Sequence, residues 1–137
     1  MRRIIFLAFF ISLIVFIASA LFFLSYFTPL SKSLFHASGT ITEDLGGFDI
    51  NSTALIFGSI ALGGSSTRSI LINNSYPFAI KVKLVLEGSI SDKIIYSPIR
   101  IEPYKSSSFK MTFFSNLDDS LGDYDGNISV VLFRAGL

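Results

Sequence analysis

An almost unbroken apolar run from Ile4 to Phe27 follows Met1-Arg2-Arg3, and it constrains this chain more than any other feature. At 1.5 Å rise per residue, about 24 residues exceed the roughly 20 needed to cross a hydrocarbon core of about 30 Å. Ser12, Ser19 and Ser25 are the polar interruptions. A helical serine can return its hydroxyl to a carbonyl one turn earlier, so the run predicts a helix that lipid tolerates. Arg2 and Arg3 set the orientation, because basic flanks are retained on the cytoplasmic side. The expectation is a single-pass cell-membrane protein with a cytoplasmic amino terminus and an extracytoplasmic carboxyl-terminal domain. Phe22, Phe23, Tyr26 and Phe27 crowd the outer end, where aromatic rings suit the headgroup boundary. The lipid bilayer is thus the first expected partner, met through Ile4 to Phe27.

A cleaved signal peptide is the rival reading. Arg2-Arg3 would be its basic region, Ile4 to Ile17 its apolar region and Ala18-Ser19-Ala20 its small-residue cleavage site. Against it, cleavage after Ala20 leaves Leu21-Phe22-Phe23-Leu24 as a greasy new terminus. Self-association through the retained helix is a third reading, although the run holds no Gly-x-x-x-Gly seam.

The rest of the chain has ordinary globular composition. From residue 41 to residue 137 it carries eight basic against ten acidic residues, a balance that argues against nucleic acid as a partner. Cysteine is absent, so an extracytoplasmic domain of this size must rely on its apolar core, without disulfides or thiolate metal sites. Residues 28–40, with Pro29, Lys32 and several serines, read as a juxtamembrane spacer. The domain organisation is therefore anchor 1–27, spacer 28–40 and folded domain 41–137.

Strand signals fill the folded domain. Ile80, Val82, Leu84 and Leu86 alternate with Lys81, Lys83 and Val85, which predicts a half-buried strand. The same two-residue period recurs at Phe109, Met111 and Phe113, and at Ile128, Val130 and Leu132. Shorter candidates are Ile50 to Ile56, Arg68 to Asn73, Ile94 to Tyr96 and Ile99 to Ile101, each bounded by turn residues. About seven short strands predict an all-β fold, an immunoglobulin-like antiparallel β-sandwich preceded by one transmembrane α-helix.

Specific residues then carry a family resemblance. Leu55-Ile56-Phe57-Gly58-Ser59-Ile60, Gly63, and Ser69-Ile70-Leu71-Ile72-Asn73-Asn74-Ser75 before Pro77 make an apolar strand, a glycine turn and a strand ending in an Asn-rich corner. Ile99-x-Ile101-x-Pro103, Ser106 to Phe113 and Gly122-x-Tyr124-x-Gly126-x-Ile128 continue the pattern. From Thr53 to Phe133 the chain resembles the ASPM/SPD-2/hydin and major-sperm-protein group of immunoglobulin-like domains. That resemblance implies a scaffolding or adhesion module.

Catalytic chemistry finds little support. His36 is the single histidine and falls in the spacer, so a hydrolase triad has no base within residues 41–137. No cofactor motif is present, and the expectation is a protein that is not an enzyme. Asp118, Asp119, Asp123 and Asp125 are weak candidates for calcium. An EF-hand starting at Asp123 fails, because Gly126 comes early and Arg134 holds the twelfth position. Asn51, Asn73 and Asn127 begin sequons and are candidate glycan acceptors. Tyr96, Tyr104 and Tyr124 are candidate interface residues, since phenol rings favour half-exposed contact positions.

Two functional readings follow. In the first, the chain is a non-catalytic membrane-anchored binding or scaffold module, an accessory subunit whose sandwich meets a protein partner through strand edges or loops. In the second it is a structural subunit of a surface filament or lattice, with a cleaved leader and donor-strand-like assembly.

Overall fold

A computed structural model describes residues 2–43 and 54–136 of the chain. Helix α1 spans Arg2–Phe27, and a single apolar stretch within it, Ile5–Phe27, is long enough to cross a membrane. Its side chains are exposed along nearly the whole length, and at the end nearest the sandwich the Tyr26 ring meets Arg134 of the last strand. Ser19 Oγ donates to Val15 O at 2.8 Å and Ser25 Oγ to Phe22 O at 2.7 Å, so both hydroxyls are satisfied within the helix. Phe22 and Tyr26, one turn apart, bring their ring centroids to 4.9 Å.

Among the described residues eight strands follow: β1 (Ser31–Thr42), β2 (Leu55–Ala61), β3 (Ser65–Asn73), β4 (Ile80–Gly88), β5 (Ile94–Tyr96), β6 (Ile99–Ile101), β7 (Ser106–Phe114) and β8 (Gly122–Arg134). They form two sheets, ordered β2-β1-β8-β4-β6 and β3-β7-β5, packed as a β-sandwich. The alternation read in the sequence sets which faces are inside. Ile80, Val82 and Leu84 are buried while Lys81, Lys83 and Val85 are exposed, and Phe109, Met111 and Phe113 are fully covered. With Phe57, Ile41 and Ile128 these side chains make the core. Each contributes on the order of 1.5–3 kcal/mol through the apolar area it removes from water.

Two expectations need correction. Residues 28–40 are not a spacer: from Ser31 onward they form β1, which lies between β2 and β8 inside the larger sheet. Only Thr28, Pro29 and Leu30 separate α1 from the first strand. The described residues hold eight strands, in keeping with the expected number of about seven, the additional one being β1. Nor is the sandwich wholly antiparallel, since β1 and β2 run parallel, with Ala37 opposite Leu55 and Thr42 opposite Ala61. Of the predicted strand Ile50 to Ile56, residues 50–53 lie outside the described part.

The pairings β3–β7–β5 and β4–β8 match those of an immunoglobulin-like sandwich, in which the second strand pairs with the fifth and the third with the sixth. The place beside β8, filled in such domains by the last strand, is filled by β1 from the amino-terminal side. Close packing makes this fit depend on Gly39. A Cβ there would lie 2.6 Å from Cε1 of the buried Phe113 ring, so the ring occupies the space a side chain would take.

Candidate binding surface

The two edges of β1 differ along its length. On one side it pairs with β8 from Ser31 to Ile41. On the other, pairing with β2 begins only at Ala37, so among the described residues no strand covers Ser31–His36 on that side. Beside this free edge the sheets part to leave a groove of about 230 Å³. Ser33 and Phe35 of β1, Ile70 and Ile72 of β3, and Val130 and Leu132 of β8 line it. Leu71 and Asn73 complete the lining, and Leu71 has 77% of its surface exposed.

Farther along the same side the sandwich is closed. Ser66 Oγ donates to Phe57 O at 2.7 Å, and Arg68 Nε donates to Ile56 O at 2.7 Å, tying β3 to β2 across the gap between the sheets. The groove is therefore the stretch of this side that β2 does not reach. A second depression of about 310 Å³ lies against β5 and β7, lined by Ile95, Tyr96 and Ile99 together with Ser97, Ser108, Lys110 and Thr112. An apolar groove next to an unpaired strand edge is the geometry in which an extended peptide adds a strand, with main-chain bonds for affinity and alternate side chains in the groove for selectivity.

The predicted interface tyrosines divide. Tyr96 donates its hydroxyl to Leu84 O at 3.2 Å and packs its ring against Phe109, so it joins the two sheets. Tyr124 donates to Ser120 O at 2.8 Å, four residues upstream, and its ring meets Phe113. That is the arrangement of a tyrosine corner at the start of the sixth immunoglobulin-type strand. Tyr104 is different: it is 69% exposed, at the turn between β6 and β7, with φ of 58°. Of the three, Tyr104 alone has a largely exposed ring.

The acidic residues are held apart by other contacts. Asp119 pairs with Lys93 and accepts from Asn116 N at 2.7 Å. These bonds hold its carboxyl below the ordinary carboxylate range, with the Lys93 contact the largest cause, and the same contact raises the Lys93 ammonium above its ordinary value. Asp123 accepts from Thr40 Oγ1 at 2.7 Å on the outer face of the larger sheet. Asp125 takes a bond from Ser89 Oγ through its main-chain oxygen at 3.2 Å, and Asp118 is exposed in the loop before β8. Among the described residues no three carboxylates or imidazoles gather in a way that could hold a metal ion. Of the sequons, Asn73 and Asn127 are exposed, Asn73 accepting from Ser106 Oγ at 3.1 Å, while Asn51 lies outside the described residues. His36, on the outer face of β1 opposite Asn127, is exposed.

The β1 edge was missed in the sequence, although a faint signal exists. Phe35, Ala37, Gly39 and Ile41 alternate with His36, Ser38 and Thr40, but small residues at the inward positions blunt the hydrophobic period.

The class the fold defines is a two-sheet β-sandwich carried on an apolar amino-terminal helix. No family model, curated protein or solved structure matches this chain.

Proposed function

We propose that this protein is a non-catalytic, membrane-anchored extracytoplasmic binding module, an accessory subunit of a membrane or cell-surface complex. It takes an extended segment of a partner protein along the free edge of β1. The observation that carries this reading is the unpaired stretch Ser31–His36 beside the groove between β1 and β3, three residues beyond an apolar helix. A site so close to α1 suits a partner that is itself held at the membrane. Arg2 and Arg3 before the apolar stretch, against Lys32 just after it, support a cytoplasmic amino terminus. The resemblance to the ASPM/SPD-2/hydin and major-sperm-protein group points the same way, towards scaffolding rather than catalysis.

A filament subunit is the second reading, and the position of β1 favours it. A strand that fills the last place beside β8 from the amino-terminal side is one that copies of the chain can exchange. One experiment separates the two. The chain has no cysteine, so Ser33→Cys places a single cross-linking thiol in the groove. In native membranes the accessory-subunit reading expects one discrete adduct with another membrane protein and a mature chain that retains Met1-Arg2-Arg3. Leu71→Asp, a charge across the groove, should remove that adduct. A ladder of self-adducts starting at Leu21 would establish the filament reading. Adducts formed equally from Leu117→Cys at the opposite end would overturn the groove as the binding edge.

A further inference from the structure

Charge is sorted along the long axis of the sandwich, and strand register shows how. Ser31 of β1 lies opposite Leu132 and Ile41 opposite Gly122, while Ile80 of β4 lies opposite Arg134 and Gly88 opposite Gly126. The end nearest α1 therefore holds Lys32, Lys81, Lys83, Arg100 and Arg134, and the turn after β6 adds Lys105. Among the described residues one carboxylate, Glu102, shares that end, and it already accepts from Arg100 Nε at 2.9 Å. The opposite end holds Glu87, Asp123 and Asp125 in the strands and Asp118 and Asp119 in the loop before β8, with Lys93 there paired to Asp119. The basic side chains are exposed, apart from Arg134, which is half-buried.

The basic end is also the end bound to the helix. Leu30 N donates to Leu132 O at 2.7 Å, which fixes the chain as it leaves α1. The Arg134 guanidinium stands 4.3 Å from the Phe78 ring centroid and 5.6 Å from that of Tyr26, bridging sandwich and helix. Tyr104, exposed in the β6–β7 turn, belongs to the same end. Long basic side chains with an exposed tyrosine suit a headgroup layer, where charged tips meet phosphate and phenol rings span the polar boundary.

We propose that this end is a foot that docks on the acidic phospholipid headgroups of the bilayer that α1 enters. The proposal rests on the membrane-anchor reading above. Continuity with the helix argues for lipid as the occupant, since Thr28–Leu30 can hold the foot no more than a few residues from the membrane surface. Charge sorting adds direction. A domain with more acidic than basic residues is repelled by an acidic bilayer as a whole, yet a basic foot and an acidic far end make one orientation favourable. The sandwich then stands upright with the β1 groove at a fixed height above the lipid.

The test uses the full chain in lipid nanodiscs, made with phosphatidylcholine alone or with added phosphatidylglycerol. A dye on Ser75→Cys, exposed in the foot, or on Ser120→Cys, exposed at the far end, reports energy transfer to acceptor lipids. With phosphatidylglycerol, transfer from Ser75→Cys should rise and that from Ser120→Cys fall, and added salt should reverse both. Each lysine near an acidic surface is worth about fivefold, so Lys81→Glu with Lys83→Glu should lower the docked-to-undocked ratio by more than about tenfold. Both lysines are exposed, and an unchanged thermal midpoint should accompany the loss. Equal transfer in the two lipid compositions, or a gain that survives the double reversal, would overturn the foot alone. Release of the chain from the discs by alkaline carbonate would overturn the anchor reading and the foot with it.

Discussion

The two ends of the sandwich are built by different means. At the helix end the chain turns around one buried side chain, Asn74, whose Nδ2 donates to Phe78 O, Ile101 O and Glu102 O at 2.9, 3.1 and 3.0 Å. Its Oδ1 accepts from Tyr76 N at 3.0 Å, so a single amide holds the β3–β4 loop to the end of β6. The far end depends instead on contacts near the surface, the part-buried pair of Lys93 with Asp119 and the exposed bond of Ser89 with Asp125. Buried hydrogen bonds are costly to break because the groups left behind have no water, whereas exposed ones exchange with solvent at little cost. The comparison teaches that the end facing the helix is rigid by construction and the opposite end is adjustable.

Asn74 offers the largest test of that contrast. Asn74→Ala removes all four bonds and strands buried carbonyl oxygens, so it should cost about 3 kcal/mol, read as a lowered midpoint in urea unfolding. Asn74→Asp should be no better, since an ionised carboxylate would face the carbonyls that now accept from the amide. A loss below that of an ordinary surface change would remove the distinction between the ends.

Packing between the ends comes next in size. Gly39→Ala drives a methyl into the Phe113 ring, which is fully buried and cannot swing aside, and overpacking of this kind costs about 2 kcal/mol. Adding Phe113→Leu should recover part of that loss, and a double-mutant cycle measures the coupling. Additive effects would show that the ring and the glycine do not share the space.

These two positions also mark what the sequence made legible. The strands β4, β7 and β8 were readable because large apolar side chains alternate with lysine, threonine or serine along them. β1 was not, since its inward Ala37 and Gly39 are small, and at Gly39 the space is taken by Phe113, which reaches over from β7 of the other sheet. A short-range period cannot reveal a space filled by a residue more than seventy positions away. Tyr124 could have been recognised, since its partner Ser120 is local, whereas Tyr96 depends on a carbonyl in β4 that only the sheet packing brings near. The groove was hidden for the same reason as β1, being made by where β2 starts.

Acid should act on the far end first. The folded-state pKa of Asp119 is depressed, so its stabilisation is present above the unfolded value of about 3.9 and is lost as pH falls through the lower folded value. Lys93 is shifted upward, so its share is present below the unfolded value of about 10.4 and is lost only as pH rises through the higher folded value. Between those limits the pair is intact. Hydrogen exchange at residues 116–121 should therefore quicken below about pH 4 while the amides around Asn74 keep their protection. Asp119→Asn should give the fast exchange at neutral pH and remove its acid dependence. Equal acid sensitivity at both ends would contradict the separation.

The smallest effect is expected at Tyr104. Its φ of 58° lies in the left-handed region that residues with a Cβ seldom adopt, in a turn where Lys105 N donates to Glu102 O at 3.2 Å. Its ring is largely exposed, so little apolar area is lost on truncation. Tyr104→Gly should relieve the backbone while removing few contacts, leaving stability within about 0.5 kcal/mol of the parent. Thermal unfolding of the two proteins side by side decides it. Unchanged stability would separate this tyrosine from Tyr96 and Tyr124, which hold the sandwich together, and leave its ring free for what lies beneath the foot. A loss comparable to Gly39→Ala would instead make Tyr104 a member of the fold, and the rigid end would lose its one exposed aromatic contact.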